Sequence, residues 1–357
     1  MKKYIALFFA ILALFLTACS TPPAGGAEDT SDTLSVEEST HAATEATEAE
    51  VTSEQTDTAP LSTEEAISEP TTETPTTEAL TLVPEKDNSI SSMEKLTLVD
   101  GVISVKKQTF STQIKGAVAY KVIYESENGK LAADVVLPND YKNKNYPVLI
   151  YFPQVGTYIE SLASNYALNG IIVIRPYARG YDESEGMRDL GGQKDLADSQ
   201  KLLEIFDSAS FIKSSKIFVA GSSEGSVNAL RLVAEDTDKR ISGCAVVDVV
   251  ADIQGYGEFR GDGVKNLFSA LIGNTYEEAP EEYDLRSAVK FTEKLDRPIL
   301  ILNYTQSAFI SEEQVDGFYE LLSESNKNCT YNKIDTLSSD FLGEGLQRLL
   351  SWINKYD

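Results

Sequence analysis

Residues 216–226, KIFVAGSSEGS, place a serine where it could act as a nucleophile. An apolar stretch runs into Gly221-Ser222-Ser223-Glu224-Gly225, and VNALRLVAE follows as a helix-like segment. Gly-x-Ser-x-Gly between a strand and a helix is the pattern of a nucleophile elbow. Its glycines allow a strained turn that lifts the central side chain, here Ser223, out of the sheet. The backbone N–H of Glu224 is then the candidate oxyanion donor. A serine hydroxyl needs a base to attack a carbonyl at neutral pH, ordinarily a histidine oriented by a carboxylate. The chain has one histidine, His41, inside a Thr/Glu-rich tract. It has no Cys, His or ordered carboxylate partner there, so neither catalysis nor metal binding is expected of it.

The elements that would position Ser223 begin at about residue 96. From Leu96 to Asp357 the composition is that of a folded domain, long enough for one full core. TLVDGVISVKKQTF reads as a strand, and AVAYKVIYES and KLAADVVLP as a hairpin turning at Glu127-Asn128-Gly129. Apolar runs then recur at 147–153, 170–176, 216–221, 243–250, 297–304 and 329–334. Amphipathic stretches separate them, such as DLADSQKLLEIF, where Leu196, Leu202, Leu203 and Phe206 share a face. Such alternation predicts an α/β fold with a mostly parallel sheet, helices on both faces and an antiparallel N-terminal hairpin. EGLQRLLSWINKY is the expected closing helix. Cys244 and Cys329 fall on strands expected to flank strand 297–304, too far apart to bridge, and are read as buried free thiols.

Over residues 118–357 the chain resembles the catalytic domain of prolyl-oligopeptidase-type serine peptidases, a branch of the α/β hydrolases. The resemblance rests on AYKVIYESENGKLAADVVLPNDYKNKNYPVLIY, RGYDESEG, GGQKDLADSQKLLEIF, FVAGSSEGSVNALRLVAED and GNTYEEAPEEYDLRSAVKFTEKLDRPILIL. It implies an α/β-hydrolase fold and locates the partners of Ser223. The acid would follow strand 297–304, where Ser307 stands in its place. The histidine would follow strand 329–334 before Gly-Phe, where Ser339 or a neighbour stands. The oxyanion loop would carry His-Gly-Gly or Tyr-Gly-Gly where this chain has Pro153-Gln154-Val155, and proline has no N–H to donate.

Acid, base and one oxyanion donor are thus altered together, and loss of the histidine alone can cost about 10⁶ in turnover. Glu224 is a poor substitute base because its charge opposes a developing oxyanion. Asp335 and Asp340, in the loop where histidine belongs, would need a raised pKa to serve. The expectation is a catalytically degenerate domain that binds a peptide, glycan or protein in the old cleft. The alternative is an active peptidase or esterase using Ser223 with a base other than histidine. Arg179 is expected to organise its loop by pairing with a carboxylate, with a ligand contact as the other reading. Tyr158, Tyr177, Tyr181 and Tyr304 could line a cleft or simply pack. No metal or organic cofactor is implied, for want of a Cys/His cluster, a phosphate loop or a dinucleotide fingerprint.

The other end of the chain concerns location. Lys2 and Lys3, the apolar run Tyr4 to Leu16, and Leu16-Thr17-Ala18-Cys19 read as a signal peptide over 1–18 with a lipoprotein cleavage site. Cys19 would be acylated and hold the protein on the extracytoplasmic face of a bacterial cell membrane. Residues 19–95 follow as a stalk expected to stay disordered, without one aromatic residue between Phe15 and Phe110. Residues 20–95 carry 18 acidic and 2 basic side chains, net −16 of the chain's −25. Their coil span would be at least about 50 Å. Such acidity argues against a nucleic-acid partner.

Overall fold

The computed structural model describes residues 89–109, 115–127, 129–154, 160–337, 341 and 343–357. Cys19, the stalk as far as residue 88 with His41, Tyr158, Ser339 and Asp340 lie outside the described residues.

The sheet runs β1 (Val102–Gln108), β2 (Ala117–Ser126), β3 (Gly129–Pro138), β4 (Tyr146–Phe152), β5 (Ile172–Pro176), β6 (Ile212–Ser222), β7 (Ile241–Val247), β8 (Ile299–Tyr304) and β9 (Cys329–Ile334). Among the described residues its spatial order is β1-β2-β3-β5-β4-β6-β7-β8-β9. The first three strands and the β3–β5 pair are antiparallel, and every pair from β5–β4 to β8–β9 is parallel. This is the mostly parallel sheet with an antiparallel start that the sequence pattern predicts. The hairpin differs in detail. Ser126 pairs with Gly129, so the two-residue connection is Glu127-Asn128 and the glycine opens the returning strand. Gly129 has φ +124°, a conformation open to glycine and not to a Cβ-bearing residue.

The helices are α1 (Glu160–Leu168), α2 (Gln193–Asp207), α3 (Gly225–Ala234), α4 (Ile253–Arg260), α5 (Asp262–Ile272), α6 (Pro280–Asp284), α7 (Glu312–Ser325) and α8 (Glu344–Tyr356). Strand alternation sends side chains to two cores. Val148, Ile150, Ile217, Val219 and Ile301 pack with α2, α3 and α7 through Leu202, Phe206, Leu230 and Phe318. Leu149, Phe218, Ala220 and Leu302 pack on the other face with Leu162 of α1 and Leu349, Trp352 and Ile353 of α8. Both faces are therefore covered, as near-continuous apolar strands require.

Packing begins ahead of residue 96. Ile90, Met93 and Leu96 are all buried in the larger core. The polar residues around them, NSISSMEK, hide a short apolar stripe at three-residue spacing. Cys244 and Cys329 are both free, separated by β8; Cys244 is buried, but Cys329 is only partly so because it lies on the edge strand.

Candidate active site

β6 ends at Ser222 in the middle of the sheet, between β4 and β7, and α3 starts at Gly225. Ser223 between them has φ +48°. A left-handed non-glycine residue costs about 1–3 kcal/mol and persists only where its surroundings enforce it. Here they do. Ser223 N–H donates to Val247 O at 3.0 Å, and Ser226 N–H donates to Ser223 O at 2.9 Å. The Ser226 hydroxyl also donates to Ser223 O (2.6 Å) and accepts from Val250 N–H (2.9 Å), clamping the turn to the segment after β7. A Cβ on Gly221 would lie 2.6 Å from Gly225 O, and one on Gly225 would overlap the Phe152 carbonyl. Both glycines are thus required by close backbone approach, as the pattern predicts.

The surroundings of Ser223 are less familiar. Gln154 N–H, the donor after the proline, is directed at Ser222 Oγ at 3.1 Å, and the Tyr151 hydroxyl lies 3.1 Å from that same oxygen. The Glu224 carboxylate is held by Arg188 at 3.0 Å. Its backbone N–H stands at the start of α3, where helix donors have no partner within the helix. Ser307 Oγ accepts from Phe309 N–H at 3.3 Å. Asp335 accepts from Thr305 (3.1 Å) and Gln306 (2.9 Å), tying the loops after β8 and β9 together.

Two residues that the sequence did not single out converge here. Asp248, just past the end of β7, is fully buried with φ +47°. Its Oδ1 accepts from Tyr304 N–H at 3.0 Å, the Ser307 hydroxyl stands beside the group, and Oδ2 has no hydrogen-bond partner among the described residues. Burial pushes this carboxyl up to about 6, against the pull of those two donors. A carboxylate therefore occupies the region where the resemblance puts the acid, delivered from β7 instead of β8. Its sign in the sequence was a single Asp inside the apolar run GCAVVDVV. The other residue is Tyr256 of α4. It is buried and accepts from Arg260 at 3.0 Å. A 33-residue separation from Ser223 gave no local signal.

A cleft of about 220 Å³ opens beside the elbow, lined by Pro153, Gln154, Tyr177, Tyr181, Glu224 and Asn228 among others. Arg179 also borders it, gripping Asp198 through Nε (2.6 Å) and Nη2 (2.7 Å), with Ser126 donating to the same carboxylate. The carboxylate pairing expected of Arg179 is thus present. Tyr177 donates to Asp134 at 2.7 Å. Tyr304 is buried in the core with α1 and α8, so it packs and does not line this cleft. Among the described residues no group of three or more His, Cys, Asp or Glu could hold a metal ion.

No family model matches the chain. It is 24% identical over 227 residues to the uncharacterized peptidase YtmA of Bacillus subtilis (strain 168), covering 62% of this chain and 86% of that protein. Solved structures share its fold. An acetyl xylan esterase from Paenibacillus sp. R4 has a TM-score of 0.58 at 14% identity, over 76% of this chain and 96% of the esterase. A putative dipeptidyl aminopeptidase IV from Bacteroides ovatus ATCC 8483 has a TM-score of 0.54 at 17% identity, over 67% of this chain. The acylaminoacyl peptidase of Pyrococcus horikoshii gives 0.55 at 13%, over 68%. The match spans only 35% and 42% of those two peptidases. The chain has the α/β-hydrolase fold that these esterase and peptidase structures share.

Proposed function

We propose that this protein is a lipoprotein anchored through Cys19 on the extracytoplasmic face of a bacterial membrane, with a catalytically degenerate hydrolase domain that binds a peptide, glycan or protein. One observation carries the loss of catalysis: the only imidazole in the chain, His41, belongs to the Thr/Glu-rich tract and not to the domain that contains Ser223. The engagement of Gln154 N–H by Ser222 supports the same reading, because a committed donor is not available to a tetrahedral intermediate. The Glu224 carboxylate is paired with Arg188, which holds it as a salt-bridge partner and not as a base for Ser223. The cleft beside the elbow remains as the binding surface. The test is hydrolysis of p-nitrophenyl acetate and of a peptide p-nitroanilide at pH 7.5 by the wild type and by Ser223→Ala. Equal rates are expected; Ser223-dependent turnover of about 1 s⁻¹ or more, the ordinary enzyme range, would overturn the reading. The anchor is tested separately, since Cys19→Ala should move the protein from the membrane fraction to the soluble fraction.

A second reading, slow covalent chemistry at Ser223 with a base other than histidine, is favoured by the retained strain at Ser223.

A further inference from the structure

The charged side chains that line the cleft beside the elbow already have partners. Arg175 faces Asp134 at 3.4 Å, Arg179 faces Asp198 at 2.6 Å, Arg188 faces Glu224 at 3.0 Å, and Asp182 holds Lys121. The remaining carboxyl, Asp195, makes no ion pair among the described residues. Burial and the neighbouring Asp189 carboxylate push it up to about 7, so its neutral form is well populated near neutrality. The cleft therefore has no unmatched cation for a phosphate or a carboxylate, and at most a fraction of one negative charge for an amine.

Two uncharged polar groups there lack partners. Tyr124 of β2 lines the cleft, is 1% exposed, and its hydroxyl makes no hydrogen bond among the described residues. Burial and the Asp198 carboxylate push that phenol well above its ordinary value, so it stays an O–H donor at any working pH. Asn228, one turn into α3, lines the same cleft, and its Oδ1 is buried without a partner. Buried polar groups left unsatisfied are rare in native proteins and mark a place for a water or a ligand. Tyr181 adds a half-buried aromatic wall. The volume, about 220 Å³, lies below the roughly 300–1,000 Å³ of sites for drug-sized ligands, which leaves room for a single residue of a polymer.

We propose that this cleft binds one neutral sugar residue, whose hydroxyls meet Tyr124 and Asn228 while its C–H face rests against Tyr181. The inference rests on the reading of the cleft as a binding surface. Hydroxyls on adjacent ring carbons both donate and accept, so one sugar supplies a donor to Asn228 and an acceptor to Tyr124. A peptide would enter so small a cleft by an end, and either end carries a charge that the paired side chains leave unmet.

The experiment is saturation-transfer NMR on the full chain with glucose, xylose and N-acetylglucosamine. Glucuronate and glucosamine serve as charged counterparts, and N-acetylalanine N-methylamide as a neutral peptide probe. The proteins are the wild type, Tyr124→Phe and Asn228→Ala, each with a thermal melt. At least one neutral sugar should bind, and Tyr124→Phe and Asn228→Ala should each weaken it by about five- to tenfold. Without sugar, Asn228→Ala should melt no lower than the wild type, because it removes an unmatched buried group. Equal binding of an oligosaccharide ending in the same sugar assigns the cleft to glycan ends, and binding of the free sugar alone assigns it to monosaccharides; both support the proposal. No binding of any neutral sugar at about 20 mM by a folded wild type overturns it. So do charged counterparts that bind equally well, or affinity unchanged in both variants. If Tyr124→Phe fails to fold, Asn228→Ala decides. Binding of the peptide probe alone overturns the sugar and leaves the cleft as a binding surface, whereas Ser223-dependent turnover removes the degenerate reading and leaves the sugar site standing.

Discussion

Asp248 carries a chemistry that burial has moved away from its free state. A fully buried carboxyl with its pKa raised from 3.8 to about 6 favours the protonated folded form. Its penalty is absent below about pH 4, grows between 4 and 6, and is complete above 6. The shift corresponds to about 3 kcal/mol. Asp248→Asn keeps an acceptor for Tyr304 N–H and tolerates the left-handed backbone. It should therefore gain stability over the wild type at pH 7.5 and lose that advantage at pH 4.5, as read by urea melts at the two values. Gly225→Ala, by contrast, forces a methyl into the Phe152 carbonyl. It should cost about 3 kcal/mol or more in the same assay at any pH. The elbow was legible because its glycines and flanking strand lie together in sequence. Asp248 and Tyr256 were not, because what makes each unusual is a neighbour on another strand or helix.

At the scale of elements, the strands were the most readable feature, since each parallel strand is buried on both faces and so appears as an apolar run. Short helices were harder: α4 and α6 between β7 and β8 carry polar and glycine residues such as IQGYGEFR and PEEYD, while α5 between them does show an apolar stripe in Val264, Leu267, Phe268 and Leu271. The RGYDESEG loop is secured by Arg179, which the sequence did single out, through partners that it did not. Arg179 joins it to α2 through Asp198, and Ser126 brings the β2–β3 hairpin to the same carboxylate. Arg179→Ala leaves that buried carboxylate without its cation, and a loss of about 3–5 kcal/mol is expected in a denaturant melt. Because the loop borders the cleft, the same variant should also weaken whatever ligand the cleft holds.

At the scale of the molecule, the acidity predicted to dominate this chain belongs mostly to residues 20–95. The domain's boundary precedes the predicted residue 96, because Ile90 and Met93 close the core beside β1. A chain that begins at residue 99 uncovers that region and should be about 3–5 kcal/mol less stable than one beginning at residue 88, measured by urea unfolding. The cost falls on packing distant from Ser223. On the reading proposed above, what has changed at the site is a small number of side chains on an otherwise complete scaffold. The left-handed backbone at Ser223 has a consequence in these terms: the turn stores the geometry of attack, so the loss of catalysis proposed above would be reversible in principle. With Asp248 already beside Ser307, the group that this scaffold would need for ester hydrolysis under that proposal is an imidazole within reach of Ser223.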